Sequence, residues 1–339
     1  KLSAFGLEDK VTKINEELVH LSKSVSKNCY VAGDISSTGL IAEPFGETTF
    51  AQIISIYNEQ AAALDKAGAD LFVIEKCSSL SEMRAAVIAC KKFKKPIFVT
   101  IAITDKGKTL SGSTPLSCLI VLQAMGIDAF GINCATSQDA LVEALKEIAP
   151  FAKIPLIAKP NAGSTNTSSD ILSPEEMAEL LKPLLSIGVS IIGGCCQTTA
   201  EHIKKMRELI DTNRMIKTEY DYTNDIYLAN ETEFFALDND RIEFSPLIKC
   251  THDMADDFID AETDSYDVLW ISVNSADEAK QFALNSHLSK LPICFKSDDE
   301  VTLKAALLLY NGRCLIDSQT AIDETELKKI ASKYGAIIY

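Results

Sequence analysis

The chain has 339 residues, of which 47% are hydrophobic and 24% are charged. This composition is typical of a globular protein and excludes collagen, low-complexity disorder and disulfide-stabilised miniproteins. The net charge is −15, so we expect no nucleic-acid partner, because binding a phosphate backbone requires an excess of Lys and Arg. No apolar run approaches the roughly 20 residues of a membrane-spanning helix, so we expect no membrane span.

The charge changes along the chain. Residues 1–211 carry 24 acidic and 21 basic side chains, whereas residues 212–339 carry 24 acidic and only 12 basic side chains. This change indicates a boundary near residue 212. It favours a solvated, self-repelling acidic surface in the second part over a binding site.

The ten cysteines lie mostly in or beside apolar runs, and the opening segment KLSAFGLEDK has no character of a secretory signal. We therefore expect a cytoplasmic protein in which most thiols are reduced and act as small buried hydrophobes. The chain begins with Lys1 rather than Met, so we expect the true N-terminus to lie upstream.

Short apolar, β-branched runs alternate with helical patterns through the first 211 residues. A leading helix is predicted over 7–24, with no strand before it. Ser173 and Glu176 form a predicted capping box at the start of a later helix. The predicted strands, each short enough to be a buried parallel strand, are 28–36, 69–77, 96–103, 127–134, 154–161 and 189–196. Helices between them include 50–67, 137–148 and 174–187.

Six βα units are compatible with two architectures. One is an open, doubly wound parallel sheet. The other is an eight-stranded barrel that lacks its first two βα units. The pattern leaves both open, although the similar lengths of the helices favour the barrel.

The second part changes character twice. Residues 212–240 are acidic and polar without clear periodicity, which predicts a linker leading into a hairpin around Glu233–Phe244. The acidic run 253–267 is interpreted as solvated surface. From residue 266 onward a smaller α/β domain is predicted, ending on an uncovered strand as if cut short. Its strands are 267–273, 291–297, 314–318 and 336–339, and its helices are 276–283, 300–310 and 324–334.

Three cysteines stand at predicted strand ends. Cys134 ends one strand, and Cys195 and Cys196 end another. In parallel α/β folds the carboxyl ends of the strands form the mouth of the active site. Three thiolates meeting there would bind zinc and leave a fourth position open, as in catalytic zinc sites. Packed thiols, or a vicinal disulfide between the adjacent pair, are alternatives that the spacing leaves open.

The segments GINC, GGCC and TTAEHI occur in the order in which they stand in homocysteine S-methyltransferases, and they resemble the homocysteine-binding zinc domain of that family. The segments FGLEDKVTKIN, VAGDISSTG, FVIEKCSSLSEMRAA, GKTLSGSTP and LIAKPNAG are also similar. The resemblance extends over roughly residues 4–210. It implies a (β/α)8 barrel of the TIM type over residues 1–211, lacking its first two βα units.

The resemblance also implies a zinc-dependent methyl transfer. Zinc would be held by Cys134, Cys195 and Cys196, with the homocysteine sulfur in the fourth position. The metal-bound sulfur would be a thiolate, and it would accept a methyl group to give methionine. No catalytic residue beyond the zinc site is implied.

Three further residues are implied to bind the substrate. Glu75, at a predicted strand end, would contact the ammonium group of homocysteine. Asp34 and Asn133 would be additional residues of the mouth. For Asp34 and Asn133, a capping or turn-closing hydrogen bond is the alternative role.

Residues 231–244 and 291–339 resemble the start of the folate-binding barrel of cobalamin-dependent methionine synthases. This implies a partial, folate-barrel-like α/β domain over 241–339, after an acidic linker over 212–240. It implies methylcobalamin, carried on a separate module or chain, as methyl donor and partner. The segment SPLIKCTHD replaces the expected pterin motif, so we expect no folate binding by this stretch alone.

Two alternatives remain at this point. In the first, the methyl donor is S-methylmethionine or a betaine-type onium compound instead of methylcobalamin. In the second, the chain is a truncated zinc-binding remnant that does not catalyse methyl transfer.

Overall fold

The computed structural model describes residues 1–43, 46–77, 79–135, 137–163, 171–212 and 225–339. In the part before residue 213, strands and helices alternate as the sequence predicts. The strands are β1 (Ala32–Ser36), β2 (Leu71–Cys77), β3 (Ile97–Ile101), β4 (Ala129–Asn133), β5 (Leu156–Lys159) and β6 (Val189–Ile192). The helices are α1 (Val11–Val25), α2 (Phe50–Lys66), α3 (Leu80–Cys90), α4 (Pro115–Ala124), α5 (Gln138–Ile148), α6 (Pro174–Leu185) and α7 (Ala200–Thr212).

The strand order decides between the two architectures. Each strand from β1 to β6 pairs in parallel with the next one along the chain. A doubly wound sheet reverses its strand order at a switch point, and this sheet does not. The prediction of a TIM-type α/β fold is confirmed. Among the described residues, β1 and β6 each pair with one neighbour only, so the six strands form an open part of a barrel.

The strand sequences explain the close packing of the sheet. All five residues of β4 are buried, as expected for a parallel strand covered on both faces. At Gly131 an added Cβ atom would lie 1.9 Å from the carbonyl oxygen of Ile157. Only glycine therefore permits the approach of β4 to β5 at this point.

Local signals set the helix boundaries. The predicted capping box at α6 is confirmed, since Ser173 Oγ accepts from the Glu176 amide at 3.2 Å and Glu176 Oε2 accepts from the Ser173 amide at 2.7 Å.

Within the described ranges, no helix has both the length and the apolar character needed to cross a membrane.

The second unit begins with an antiparallel hairpin and continues as a parallel sheet. Its sheet order, β9 to β13, is again sequential. The strands are β7 (Asp225–Ala229), β8 (Phe234–Asp238), β9 (Ile248–Lys249), β10 (Leu269–Ser272), β11 (Ile293–Lys296), β12 (Leu315–Ile316) and β13 (Ile337–Ile338). The helices are α8 (Ala255–Thr263), α9 (Ala276–Asn285), α10 (Glu300–Leu309) and α11 (Glu324–Tyr334).

Two predictions for this unit need correction. The hairpin formed by β7 and β8 lies earlier than the predicted 233–244, and it occupies part of the predicted linker. Residues 213–224 of that linker lie outside the described residues. The acidic run contains α8, which buries Phe258 and Ala261 while its three aspartates are exposed. The interpretation as solvated surface therefore holds for one face of this helix only.

A buried arginine connects the two units. Every residue of α3 is buried, although an outer barrel helix normally keeps one face in water. Arg84 donates from Nη2 to the Leu307 carbonyl at 2.7 Å, and from Nη1 to the Leu308 carbonyl at 3.3 Å and Asn311 Oδ1 at 3.0 Å. The last carbonyls of a helix lack intrahelical partners, so Arg84 caps the C-terminus of α10. Its burial lowers the pKa of the guanidinium to about 10.

Candidate metal centre

Three cysteine sulfurs lie together at the carboxyl ends of β4 and β6. The Sγ of Cys196 is 3.8 Å from that of Cys134 and 3.9 Å from that of Cys195. All three lie within 4.8 Å of one another. Two sulfurs bound to one tetrahedral zinc at about 2.3 Å are about 3.8 Å apart, so the observed spacing fits this ion. The cysteines are free thiols, and the predicted alternative of a vicinal disulfide is not adopted.

The donor set leaves a coordination position open. In the part of the chain that the structure describes, no fourth His, Cys, Asp or Glu side chain is close enough to join the cluster. Three protein ligands and one open position are the arrangement of catalytic rather than structural zinc sites.

The local backbone directs Cys134 into the cluster. This residue directly follows β4 and adopts a φ of 57°, a left-handed conformation that is uncommon outside glycine. Such conformations cluster at functional sites, where surrounding structure maintains them. Here the Cys134 amide donates to the Lys159 carbonyl at 3.4 Å.

The other two cysteines lie on a tight turn after β6. An added Cβ at Gly194 would lie 2.3 Å from the side chain of Thr198, so this position requires glycine. The Thr198 amide closes the turn by donating to the Cys195 carbonyl at 3.2 Å. The glycine directly before the two cysteines is therefore a geometric requirement for presenting two adjacent sulfurs.

The segment after β5 links the two cysteine-bearing loops. In addition to the bond from Cys134, the Pro160 carbonyl accepts from the Cys195 amide at 3.1 Å, and the Ala162 amide donates to the Cys196 carbonyl at 2.9 Å. The LIAKPNAG motif thus contacts the backbone of all three cysteines. This contact gives the motif a structural role that the sequence did not reveal.

The thiols influence one another's ionisation. The hydrogen bond from Cys134 lowers the pKa of Cys195 to about 6, against the effect of burial. The same contact raises the pKa of Cys134 above its ordinary value. Because metal ligands must be deprotonated, metal binding would displace the Cys134 proton, and the apparent affinity for the metal would rise with pH.

Glu75 and Asn133 lie beside the sulfurs. Asn133 is fully buried, and its Nδ2 is 2.9 Å from Glu75 Oε1 and 3.8 Å from Cys195 Sγ. The pairing of β2 with β3 shifts in register between Ile74 and Cys77, and Glu75 lies within this irregular stretch. Such irregularities change the direction in which side chains point at the end of a sheet. The structure brings these two predicted residues together with the cysteines.

Asp34 faces the same interior. An added Cβ at the preceding Gly33 would contact Leu64 of α2 at 3.0 Å. Because side chains alternate along a strand, Asp34 points away from α2, toward the opposite face of the sheet, which is the interior of the partial barrel. Desolvation and the negative charge of Glu75 raise the pKa of Asp34.

Lys159, at the end of β5, was not among the predicted site residues. Its Nζ lies 2.8 Å from both carboxylate oxygens of Glu75, and each of the two side chains is 23% exposed. A lysine that ends a predicted buried strand is the signal that could have identified it, because a charge there requires a partner.

Glu82 of α3 is a second residue that was missed. It is buried, its Oε2 accepts from Ser37 Oγ at 2.6 Å, and its Oε1 accepts from the amide and hydroxyl of Thr38 at 2.5 Å each. Glu82 therefore holds the loop that follows β1 at the mouth of the sheet.

The family assignment agrees with this geometry. The family model for homocysteine S-methyltransferase matches residues 1–210. The chain therefore belongs to the homocysteine S-methyltransferase family.

Individual relatives were found among curated proteins and solved structures. The methionine synthase of Mycobacterium tuberculosis is 27% identical over 343 residues, covering 92% of this chain and 29% of that protein. The methionine synthase of Mycobacterium leprae is 28% identical over 223 residues, covering 60% of this chain and 18% of that protein. The chain thus spans less than a third of the length of these relatives.

Two crystal structures of the homocysteine methyltransferase MmuM from Escherichia coli are also similar. The apo form is 24% identical with a TM-score of 0.44, covering 58% of this chain and 68% of that chain. The metallated form is 23% identical with a TM-score of 0.47, covering 61% and 74%.

Proposed function

We propose that this chain binds one Zn²⁺ through Cys134, Cys195 and Cys196 and positions homocysteine for methylation at its sulfur, giving methionine. The observation that carries the proposal is the spacing of the three sulfurs at the mouth of the sheet. Membership of the homocysteine S-methyltransferase family and similarity to two methionine synthases support it.

The donor set suits zinc. Thiolates are soft ligands that favour zinc over magnesium or calcium. When bound, zinc would hold an incoming thiol as a thiolate, whereas a free thiol is only a few per cent ionised at pH 7. The sulfur is the nucleophile in its ionised form.

The protein's own residues would orient the substrate. Asn133 bridges Glu75 and Cys195, so the carboxylate that would accept from the substrate ammonium has a defined position relative to the sulfurs. Asp34 adds a second acidic side chain facing the same interior. The backbone bonds from the segment after β5 would keep the three sulfurs in place before substrate enters.

The proposed methyl donor is methylcobalamin, carried on a separate module or chain. Alignment to a methionine synthase over 92% of this chain, including the second unit, supports this donor. In the transfer, the homocysteine thiolate forms a bond to the methyl carbon, and the donor leaves with the electron pair of the broken bond.

The test measures methionine formed by the zinc-loaded chain from homocysteine and methylcobalamin, with S-methylmethionine as the alternative donor. Cys196→Ala is expected to lower the rate at pH 7 by at least about thirtyfold, because a thiol of pKa about 8.5 is only about 3% thiolate at this pH. Cys29→Ala removes an exposed thiol away from the cluster and is expected to leave the rate unchanged.

The outcomes separate the alternatives. Equal rates for both variants would contradict the proposal. Methionine from S-methylmethionine alone would reassign the donor. One equivalent of bound zinc without methionine from either donor would identify a zinc-binding remnant.

A further inference from the structure

Beside the sulfur cluster lies a pair of opposite charges. Lys159 contacts both oxygens of Glu75, and Asn133 joins this pair to Cys195. The stem of Lys159 runs along the turn that carries Cys195, since an added Cβ at Gly193 would lie 3.4 Å from Lys159 Cγ. The charge pair and the thiols thus form one continuous site.

The pair has unused hydrogen-bonding capacity. A lysine ammonium has three N–H donors, and those of Lys159 find only Glu75 among the described residues. A carboxylate has about four acceptor positions, of which Glu75 uses three. Asn133 Oδ1 is buried and has no hydrogen-bond partner within the described part of the chain.

The orientation of the Asn133 amide follows from its neighbour. Its Nδ2 faces Glu75 Oε1, and the reverse orientation would place two oxygens against each other. Oδ1 is therefore an unsatisfied acceptor next to the charge pair. An unsatisfied buried acceptor is costly, and a ligand N–H beside Glu75 would satisfy it.

Building on the proposed function, we infer that Lys159 binds the α-carboxylate of the amino-acid thiol, while Glu75 and Asn133 Oδ1 bind its α-ammonium. A zwitterionic amino acid presents opposite charges on neighbouring atoms, and the Lys159–Glu75 pair presents the complementary arrangement. Without Lys159 the interior would contain the carboxyl groups of Glu75 and Asp34, and it would repel a substrate carboxylate. Lys159 thus makes the site selective for amino acids over simple aminothiols.

The test measures thiol binding to the cobalt(II)-loaded full chain, from the change in the visible spectrum when sulfur binds the metal. The probes are homocysteine, 3-aminopropanethiol, which lacks the carboxylate, and 4-mercaptobutanoate, which lacks the ammonium. For Lys159→Met we expect at least about tenfold weaker binding of homocysteine and of 4-mercaptobutanoate, through loss of a charge-assisted hydrogen bond. Binding of 3-aminopropanethiol is expected to be retained.

Three matched variants define the result. Glu75→Gln is expected to weaken binding of the two ammonium-bearing thiols and to retain 4-mercaptobutanoate. Lys159→Arg keeps the charge and is expected to retain the preference for homocysteine. Lys153→Met removes an exposed lysine that precedes the N-terminal end of β5. This variant is expected to bind all three thiols like the unaltered chain.

If Lys159→Met weakened the binding of all three thiols equally, the role of Lys159 would be overturned. The proposed function would still stand in that case, provided that the unaltered chain binds homocysteine. If none of the thiols changed the cobalt spectrum of the unaltered chain, the proposed function and this inference would both be wrong.

Discussion

Replacing Cys134 with alanine is expected to lower the affinity for Zn²⁺ by about a hundredfold to a thousandfold. Zinc held by four protein ligands is bound with roughly 10–16 kcal/mol, or about 3–4 kcal/mol per ligand, and 1.4 kcal/mol corresponds to a factor of ten. Cys134 lies about 60 residues before the other two ligands in the chain, so the loss would show that both loops contribute. The measurement is competition for zinc against a chromophoric chelator.

The matched control is Cys250→Ala. Cys250 is also partly buried, but its sulfur contacts the Ser272 carbonyl in the second unit. We expect this variant to bind zinc like the unaltered chain. Equal zinc affinity in the Cys134→Ala and Cys250→Ala proteins would contradict the assigned metal centre.

Replacing Arg84 with alanine is expected to lower the free energy of unfolding by about 3 kcal/mol. The substitution leaves the Leu307 and Leu308 carbonyls and the Asn311 side chain without their donor. It also opens a cavity between the two units. The energy recovered by no longer burying a charge offsets part of this loss. Urea unfolding followed by circular dichroism measures the change.

Arg207→Ala provides the comparison for Arg84. Arg207 is an exposed helical residue whose ion pair with Asp211 spans one turn. Exposed pairs of this kind contribute at most about 1 kcal/mol. A loss for Arg84→Ala no larger than that for Arg207→Ala would show that Arg84 does not stabilise the contact between the units.

The position of the sulfur cluster could be predicted from the sequence because parallel topology determines it. Once 127–134 and 189–196 are predicted as strands of one parallel sheet, their carboxyl ends lie at the same edge. The topology alone then predicts that Cys134, Cys195 and Cys196 lie close together, and no individual side-chain contact needs to be known. The choice between an open sheet and a barrel needed the observed strand order, because periodicity contains no information about which strands are neighbours.

Residues that act through tertiary contacts could not be predicted in the same way. Arg84 is separated by more than 220 positions from the carbonyls it caps, and no local pattern indicates this pairing. Lys159 belongs to a motif that resembles the family, but its partner Glu75 lies three strands away in the sheet. The roles of Glu75, Asp34 and Asn133 in substrate binding remain predictions. The structure places Glu75 and Asn133 beside the cysteine cluster and Asp34 on the face of β1 that points away from α2.

The two misplaced elements of the second unit have separate causes. In α8 the acidic side chains outnumber the two buried apolar residues, Phe258 and Ala261, and a run so rich in acidic residues is typical of solvated surface. In the hairpin, Asn230 Oδ1 accepts from the amides of Thr232 and Glu233 and closes the turn. This Asn-based turn chemistry, rather than the apolar pattern, sets where the hairpin lies.

X-ray absorption at the zinc edge, recorded with and without homocysteine, counts the sulfur atoms bound to the metal. We expect three sulfur ligands at about 2.3 Å in the zinc-loaded chain, and a fourth sulfur at a similar distance after homocysteine is added. A first coordination shell of nitrogen and oxygen, or a number of bound sulfurs that homocysteine leaves unchanged, would show that zinc is not held by the three cysteines with a position open to homocysteine.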